Sequence, residues 1–139
     1  IGTINATNTT GDQSFVQNIG GVVGYNNRSD VKKSFSYSDI NASIARYVGG
    51  VVGNNVVGKV ENCYSTSTLY GNSHCGGIVG YNQNGTVSKC YTAGKVTAVS
   101  LSGIAFGQTS GTNVTECYYD NAYLTLSNTI TPASSMAFI

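Results

Sequence analysis

The chain repeats one pattern of apolar and polar positions four times. Each copy opens with a short glycine-rich apolar run, and a β-branched valine follows the last glycine of the run by seven residues. The runs are GGVVG ending at Gly24, GGVVG ending at Gly53, GGIVG ending at Gly80 and SGIAFG ending at Gly107, and the valines are Val31, Val60, Val87 and Val114. Successive valines are about 27 residues apart, with two more in the first interval, and a period in this range predicts that each copy is one supersecondary unit stacked on its neighbours.

The pattern predicts strands, because no segment repeats apolar residues at i, i+3, i+4 and i+7 over a helical length. Each copy predicts a strand at the glycine run, a turn that in the first copy falls at Tyr25-Asn26, a strand from the valine through an aromatic residue, and a third strand, near residues 39–41 in the first copy. Three such strands with their turns fill about 27 residues. We therefore expect an all-β fold, a parallel β-solenoid (β-helix) of about four to five coils spaced about 4.8 Å apart. The alternative, an antiparallel propeller blade, needs about 40 residues.

The same pattern divides the chain into segments. Residues 1–18 resemble the end of a preceding coil, which suggests that the array was cut from something longer. The four repeats are predicted at residues 19–47, 48–74, 75–100 and 101–119. Residues 120–139 lose the pattern, and we expect them to cap the last coil, since a terminal coil exposes unpaired backbone.

Composition narrows the class of protein. Forty per cent of the 139 residues are hydrophobic, which excludes a disordered chain. Only 9% are charged and the formal net charge is +1, so we expect no nucleic-acid partner. No apolar run has the length needed to span a bilayer, and we expect no membrane insertion.

The titratable residues do not form the constellation of an enzyme. Glu61 and Glu116 lie two coils apart and out of line, unlike the paired carboxylates of a glycosidase. His74 is the single histidine and no C-x-x-C occurs, which argues against a metal site. The glycine runs lack the Gly-Lys-Ser/Thr of a phosphate loop. We therefore expect no catalytic residue, no metal and no cofactor.

In a solenoid, residues at equivalent positions form ladders along the axis. Besides the valines, the repeat predicts a cysteine ladder of Cys63, Cys90 and Cys117 and an aromatic ladder of Phe35, Tyr64, Tyr91 and Tyr118. Stacked cysteines have parallel Cβ vectors, which fit a disulfide poorly, so buried free thiols are favoured. A disulfide, for example between Cys75 and a ladder member, remains the alternative.

The sequence leaves two alternatives for the aromatic ladder, in which its rings face either the interior or the solvent. One aromatic residue per coil at a fixed register is more often part of the core, and this interpretation is favoured. If the rings face outward, they form a strip that could stack on sugar rings or on another protein. Two polar residues separate each valine from the cysteine position, which predicts a β-bulge there.

Six N-x-S/T sequons are candidate N-glycosylation sites if the source is a secretory-pathway protein. They are Asn5, Asn8, Asn27, Asn41, Asn84 and Asn113. Asn27 and Asn84 flank the same predicted turn, and we expect them to be exposed.

With the register fixed, four segments of the chain resemble the GLUG repeat. These are GGVVGNN, KVENCYSTS, GGIVGYNQNGTVSKCYTAGKV and TECYYD, within residues 19–119. The first copy departs from the pattern, with Ser34-Phe35 in place of Cys-Tyr, and the fourth has Phe106 before its glycine. The resemblance implies a secreted or surface-displayed module of large bacterial and protist surface proteins, such as adhesin-like proteins and the non-catalytic parts of secreted peptidases. It implies no catalytic residue.

These observations together favour a non-catalytic structural and adhesive repeat module, extracellular or on the cell surface. Its partners would be other protein chains or further copies of itself, joined end to end into a fibre. One alternative is a carbohydrate-binding module that uses the tyrosine ladder together with Tyr25 and Tyr81 as contacts. A weaker alternative is an ice-binding solenoid that uses the hydroxyl-rich run Ser65-Thr66-Ser67-Thr68.

Overall fold

The computed structural model describes residues 2–7, 16–100, 102–103, 106–110, 113–120 and 136–138, with side chains in 2–7, 16–100 and 114–120. The chain is an all-β parallel β-solenoid of about three turns, with roughly 27 residues per turn. The described residues contain no helix. The predicted all-β parallel β-solenoid is therefore confirmed, whereas the four to five coils stay a prediction.

Each full turn contains five short strands. β1 (Thr3–Asn5) comes before the first full turn. The first turn comprises β2 (Ile19–Gly20), β3 (Val23–Asn27), β4 (Asp30–Lys32), β5 (Phe35–Ser36) and β6 (Asp39–Ala42). The second comprises β7 (Val48–Gly49), β8 (Val52–Val56), β9 (Lys59–Glu61), β10 (Tyr64–Ser65) and β11 (Leu69–Gly71). The third comprises β12 (Cys75–Gly76), β13 (Val79–Gln83), β14 (Thr86–Ser88), β15 (Tyr91–Thr92) and β16 (Val96–Ala98).

Further strands follow the third turn, and all the strands assemble into five parallel sheets. The later strands are β17 (Ser102–Gly103), β18 (Phe106–Ser110), β19 (Asn113–Thr115), β20 (Cys117–Tyr119) and β21 (Met136–Phe138). The sheet orders are β1-β6-β11-β16, β21-β20-β15-β10-β5, β17-β12-β7-β2, β18-β13-β8-β3 and β19-β14-β9-β4. Each sheet thus takes one strand from each successive turn and runs along the solenoid axis.

The predicted register is confirmed. Val31 pairs with Val60, Val60 with Val87 and Val87 with Val114. The aromatic ladder is likewise in register from Phe35 to Tyr118. The greater length of the first interval between valines has a local cause. After β6 the chain makes a turn closed by the Ala45 N–H donating to the Ala42 carbonyl (2.8 Å), and this turn absorbs the two extra residues.

The prediction of three strands per repeat was wrong, because each full turn has five. One corner divides the strand predicted at the glycine run, and another divides the strand predicted from the valine through the aromatic residue. Tyr25-Asn26 is not a turn but lies inside β3. Between the valine strand and the aromatic strand, the chain turns through a residue in the left-handed region rather than a β-bulge. These corner residues are Lys33, Asn62, Lys89 and Glu116, with φ between 51° and 55°. One left-handed residue redirects the chain sharply, so a short corner suffices.

Two apolar clusters fill the interior. The valine ladder packs with Val51, Val52, Ile78, Val79 and the cysteine ladder in one cluster. Ile40, Leu69 and Val96 form the second, together with Val48 and Cys75. The valine ladder is buried as far as Val87, and Val114 is partly buried against the same cluster. The ladder positions predicted for valine therefore lie in the core.

A buried ladder of asparagine amides runs beside these clusters. The Asn26 Nδ2 donates to Asn55 Oδ1 (2.7 Å), and the Asn55 Nδ2 donates to Asn82 Oδ1 (2.7 Å). Each Nδ2 also donates to a carbonyl three residues further along the chain, at Ser29, Gly58 or Gly85. We call Asn26, Asn55 and Asn82 the asparagine ladder. It satisfies polar groups that would be costly to bury alone.

Two glycines make room for this ladder. A Cβ at Gly58 would collide with the amide groups of Asn26 and Asn55, and a Cβ at Gly85 would collide with those of Asn55 and Asn82. Neither glycine has a positive φ. Their role is therefore close packing and not an unusual backbone conformation.

Some predicted segments lie partly outside the described residues. β1 pairs with β6, which agrees with a strand of a preceding coil, but residues 8–15 are outside the described part. In the predicted cap, β21 pairs with β20, and residues 121–135 and 139 are outside it. The capping role thus stays a prediction.

Val57 provides a test of the corner geometry. It has φ 55° and is exposed, whereas one turn later Asn84 has φ 53°. A β-branched residue is strained in this region, and asparagine tolerates it. We expect Val57→Asn to raise the free energy of unfolding by about 1 kcal/mol, and Asn84→Val to lower it by a similar amount. Urea denaturation measures both changes. Val22→Asn, at an exposed valine without a positive φ, is the matched control and should give no gain.

Asn55 provides a test of the asparagine ladder. Asn55→Ala removes three side-chain hydrogen bonds and leaves buried polar atoms of Asn26 and Asn82 without their partner. We expect a loss of about 3 kcal/mol in the free energy of unfolding. The exposed Asn41 serves as control, and Asn41→Ala should change stability by less than about 0.5 kcal/mol. Equal effects of the two substitutions in urea denaturation would contradict the structural role of the ladder.

Candidate functional site

The aromatic ladder faces outward, so the core interpretation favoured above was wrong. Phe35 is 52% exposed, Tyr118 is 39% exposed, and Tyr64 and Tyr91 are half-buried. The side chains on either side of this position point inward: the cysteine ladder before it, and Ser36, Ser65 and Thr92 after it. Alternation along the strand then places the aromatic ring outside. We call Phe35, Tyr64, Tyr91 and Tyr118 the aromatic strip.

At the N-terminal end of the strip, the rings cover one another's faces. The Phe35 and Tyr64 rings stack with centroids 5.2 Å apart and an interplanar angle of 16°. Tyr37 leans on both rings, at 4.9 Å from Phe35 and 6.0 Å from Tyr64, and its hydroxyl lies 2.7 Å from the Tyr64 hydroxyl. This hydrogen bond raises the pKa of Tyr64. Because stacking on a sugar requires an open ring face, this arrangement favours a stabilising role for the strip.

A second group of aromatic residues lies on β3 and β13 and on the segments that precede β7 and β12. Tyr25, Asn54 and Tyr81 are in register on β3, β8 and β13. Tyr47 precedes β7 and His74 precedes β12. We call these five residues the corner surface.

The rings of the corner surface are unevenly packed. Tyr47 stacks on Tyr81 with centroids 5.1 Å apart and an angle of 21°. His74 meets both rings edge-on, with centroids 5.2 Å from Tyr47 and 5.8 Å from Tyr81. The Arg46 guanidinium lies 5.9 Å from the Tyr47 ring centroid. Tyr25 is 50% exposed, and among the described residues no ring stacks on it.

Asn54 is the unusual member of this surface. It lies between Tyr25 and Tyr81 in the register, is only 8% exposed, and its Oδ1 accepts no hydrogen bond from the described residues. The Oδ1 of Asn18 is buried and unpaired in the same way. The Asn18 backbone lies against Gly53, where a Cβ would come within 2.7 Å of its carbonyl carbon. Two buried amide oxygens in this part of the solenoid therefore lack a hydrogen-bond donor among the described residues.

Sequence reasoning selected Tyr25 and Tyr81 but missed Asn54. The structure places Tyr25 and Tyr81 two turns apart on one sheet, with Asn54 between them. The available signal was the change of residue type at this position of the repeat, which is tyrosine in the first and third copies, asparagine in the second and Gln108 in the fourth. That signal did not point to a buried, unpaired amide.

Comparison with known families agrees with this repeat geometry. Residues 44–70 and residues 71–97 each match the family model described as the GLUG motif. These are GLUG motif repeats. Each match has the length of one turn of the solenoid. No curated protein and no solved structure significantly matches the chain.

In the GLUG repeats and the turn after them, the cysteine ladder forms a stack of buried thiols. All four cysteines are free and buried. The Cys63 thiol lies 3.3 Å from the Glu61 carbonyl oxygen and 3.6 Å from that of Val31. The Cys90 thiol lies 3.2 Å from the Ser88 carbonyl oxygen and 3.9 Å from that of Val60. Hydrogen bonding between the thiols lowers the pKa of Cys63 and Cys117 and, with burial, raises that of Cys90. Such burial favours a structural role for these cysteines.

Several other features of the described residues bear on function. Among them, no group of three or more His, Cys, Asp or Glu side chains is arranged to hold a metal ion. No helix among them is long and apolar enough to cross a bilayer. In the run proposed for ice binding, Ser65 and Ser67 are buried, so only Thr66 and Thr68 face outward. Half of the hydroxyl groups that the ice-binding alternative requires are therefore not at the surface.

The sequons in and around the GLUG repeats lie mostly on the surface. Asn5, Asn27, Asn41 and Asn84 are exposed. Asn5 and Asn41 are direct register partners on β1 and β6. The side chains of Asn8 and Asn113 lie outside the described residues. Glycosylation itself stays a prediction.

Cys75, in the second GLUG repeat, predicts a pH dependence of stability. Burial raises the pKa of its thiol to about 12 from an ordinary value of 9.0. The folded state therefore favours the protonated thiol, and this contribution is fully present below pH 9 and is lost as the pH rises toward 12. Between pH 9 and 11 we expect the unfolding free energy of the native chain to fall more steeply than that of Cys75→Ala. The difference is up to about 1.4 kcal/mol per pH unit.

Urea denaturation at pH 7, 9, 10 and 11 under reducing conditions measures this difference. Between pH 7 and 8 the native chain and Cys75→Ala should differ by a constant amount, which gives the packing contribution of the side chain. Parallel profiles up to pH 11 would show that the thiol ionises as easily in the folded chain as in the unfolded one.

Proposed function

We propose that the chain is a non-catalytic structural and adhesive repeat module of a secreted or cell-surface protein. The observation that carries this proposal is the continuous in-register stacking of turns, held by the asparagine ladder and the apolar clusters. Stacked turns of this kind make a rigid rod whose outer face can vary without disturbing the interior. The GLUG motif repeats at residues 44–70 and 71–97 support the same class of protein.

We further propose that the solenoid has four to five coils and that residues 120–139 cap the last coil. Support comes from β17–β20, which continue the sheets beyond the third turn, and from β21, which adds to β20. At the other end, β2, β3, β4 and β5 lie at the edge of their sheets in the described part of the chain. Edge strands can pair with another chain, and we propose end-to-end joining with a further copy or a neighbouring domain.

A second candidate function is carbohydrate binding at the corner surface. The stacked faces of Phe35 and Tyr64 disfavour the aromatic strip as the binding platform. The half-exposed Tyr25, on which no ring of the described residues stacks, favours the corner surface instead.

Surface labelling tests the main proposal. An antibody raised against the purified chain is applied to intact and to lysed cells of the source organism, and the culture medium is tested in parallel. We expect labelling of intact cells or signal in the medium. Signal confined to lysed cells would contradict a secreted or surface role.

Assembly is measured separately, by sedimentation velocity of the purified chain over a hundredfold range of concentration. End-to-end joining predicts sedimentation coefficients that rise with concentration, as expected for elongated oligomers. A constant monomer value would remove the fibre from the proposal and leave the surface module in place.

A further inference from the structure

We infer that the N-terminal end of the solenoid, formed by β2 to β5, is a docking face for a repeat turn of a neighbouring domain. That turn carries an asparagine whose amide donates to Asn26 Oδ1 and so extends the asparagine ladder. The inference rests on the end-to-end joining proposed above and names the chemistry of the partner. It combines an open amide acceptor, an uncovered end of the apolar core and a set of edge strands in one place.

The asparagine ladder is directional, and its acceptor end is open. The amide of one turn donates to the Oδ1 of the next, from Asn26 to Asn55 and from Asn55 to Asn82. Each Oδ1 thus accepts from the turn on its N-terminal side. Asn26 Oδ1 holds the equivalent position in the first turn and accepts no hydrogen bond from the described residues. Unlike the Oδ1 of Asn54, it is not sealed inside the protein, so an amide arriving along the axis can reach it.

The end of the apolar core is uncovered at the same place. Val22 is 43% exposed, whereas Val51 and Ile78, at the same register in the next two turns, are fully buried. Val23 is half-buried, whereas its register partner Val52 is fully buried. A docked turn that covers the two valines of the first turn removes their apolar surface from water, which stabilises the docked state.

Four sheets also end at this face in the described part of the chain. Their last strands are β2, β3, β4 and β5, whereas the fifth sheet continues to β1. Ile4 and Ala6 pack on the second apolar cluster, so the open part is the end of the first cluster. An incoming turn continues all four sheets with the backbone pairing that already joins the first turn to the second. This continuity with the existing interface between turns identifies the occupant as a turn of the same repeat.

The fourth turn of this chain does not supply the matching amide. Its residue at the ladder register is Thr109, the partner of Asn82. Threonine has no amide, and its hydroxyl is one bond nearer to the backbone than the amide nitrogen of asparagine. A second copy that docked by this turn would leave Asn26 Oδ1 without an amide donor, and β21 already pairs with β20 there. The open acceptor therefore selects a neighbouring repeat domain over a further copy.

An added turn tests the inference. A copy of residues 44–67 is placed directly before Thr3, in place of residues 1–2, which keeps the register of β1 and sets the copied Asn55 one turn before Asn26. Hydrogen exchange measured by mass spectrometry follows the backbone amides of β3, an edge strand in the native chain. We expect the added turn to slow their exchange by about a hundredfold, because the edge and the apolar end become covered.

Two versions of the added turn isolate the role of the amide. In the copied segment, Asn55→Ala removes the donor and Asn55→Thr installs the residue type of the fourth turn. Both should lose about tenfold of the protection, the equivalent of about 1.4 kcal/mol, because Asn26 Oδ1 is then buried without a donor. Thr66→Ala in the copied segment, at an exposed position, is the matched control and should keep the full protection.

The inference would be overturned if no version of the added turn slows the exchange, or if the asparagine, threonine and alanine versions protect β3 equally. It would also be overturned by self-association of the native chain that Val22→Asp abolishes in sedimentation velocity, since a second copy would then occupy the face. None of these results affects the surface-labelling test. The docking face and the surface module therefore fail independently.

Discussion

The interior of each turn depends on the turns next to it for its hydrogen bonds. Strand backbones donate across the sheets, and the asparagine ladder does the same with side chains. Asn55 is satisfied only because an amide lies at the same register in the turn before and in the turn after. A slip of one residue would set these amides against other side chains and leave them unpaired, which is costly in a buried site. The ladder therefore fixes the register of the whole solenoid, and the small residues Gly58 and Gly85 follow from it.

Much of this architecture could be predicted from the sequence, because identical residue types recur at a fixed spacing. Val31, Val60 and Val87 predicted the register, and the structure shows that they are buried. The corners could not be predicted in the same way. Lys33 and Glu116 occupy equivalent left-handed positions, yet they share neither charge nor a known turn preference. Asn26, Asn55 and Asn82 each follow the last glycine of a glycine run by two residues, but asparagine is so common in turns that the pattern indicated a turn and not a buried ladder.

The facing of the aromatic strip was misjudged for a related reason. Large aromatic residues are usually buried, and the two polar residues before each cysteine position hid the alternation. The space beside the strip explains the outcome. A Cβ at Gly50 would collide with the Ser65 side chain, so the interior there has room for serine but not for a ring. Because Ser65 occupies this inward position, alternation along β10 turns Tyr64 outward, where it stacks on Phe35.

Residues that face the interior must match the residues at the same register in the adjacent turns, and residues that face outward need not. This difference shows where function can reside. An inward residue such as Asn55 must match its neighbours in both adjacent turns, since its hydrogen bonds are made to them. An outward residue need not match, so a break in an outward column costs the fold little. Asn54 is such a break, because it replaces tyrosine between Tyr25 and Tyr81 and its Oδ1 gains no hydrogen bond in exchange. The fold thus tolerates at Asn54 an unpaired amide oxygen, whereas the asparagine ladder, whose members bond to the adjacent turns, leaves no room for such a break.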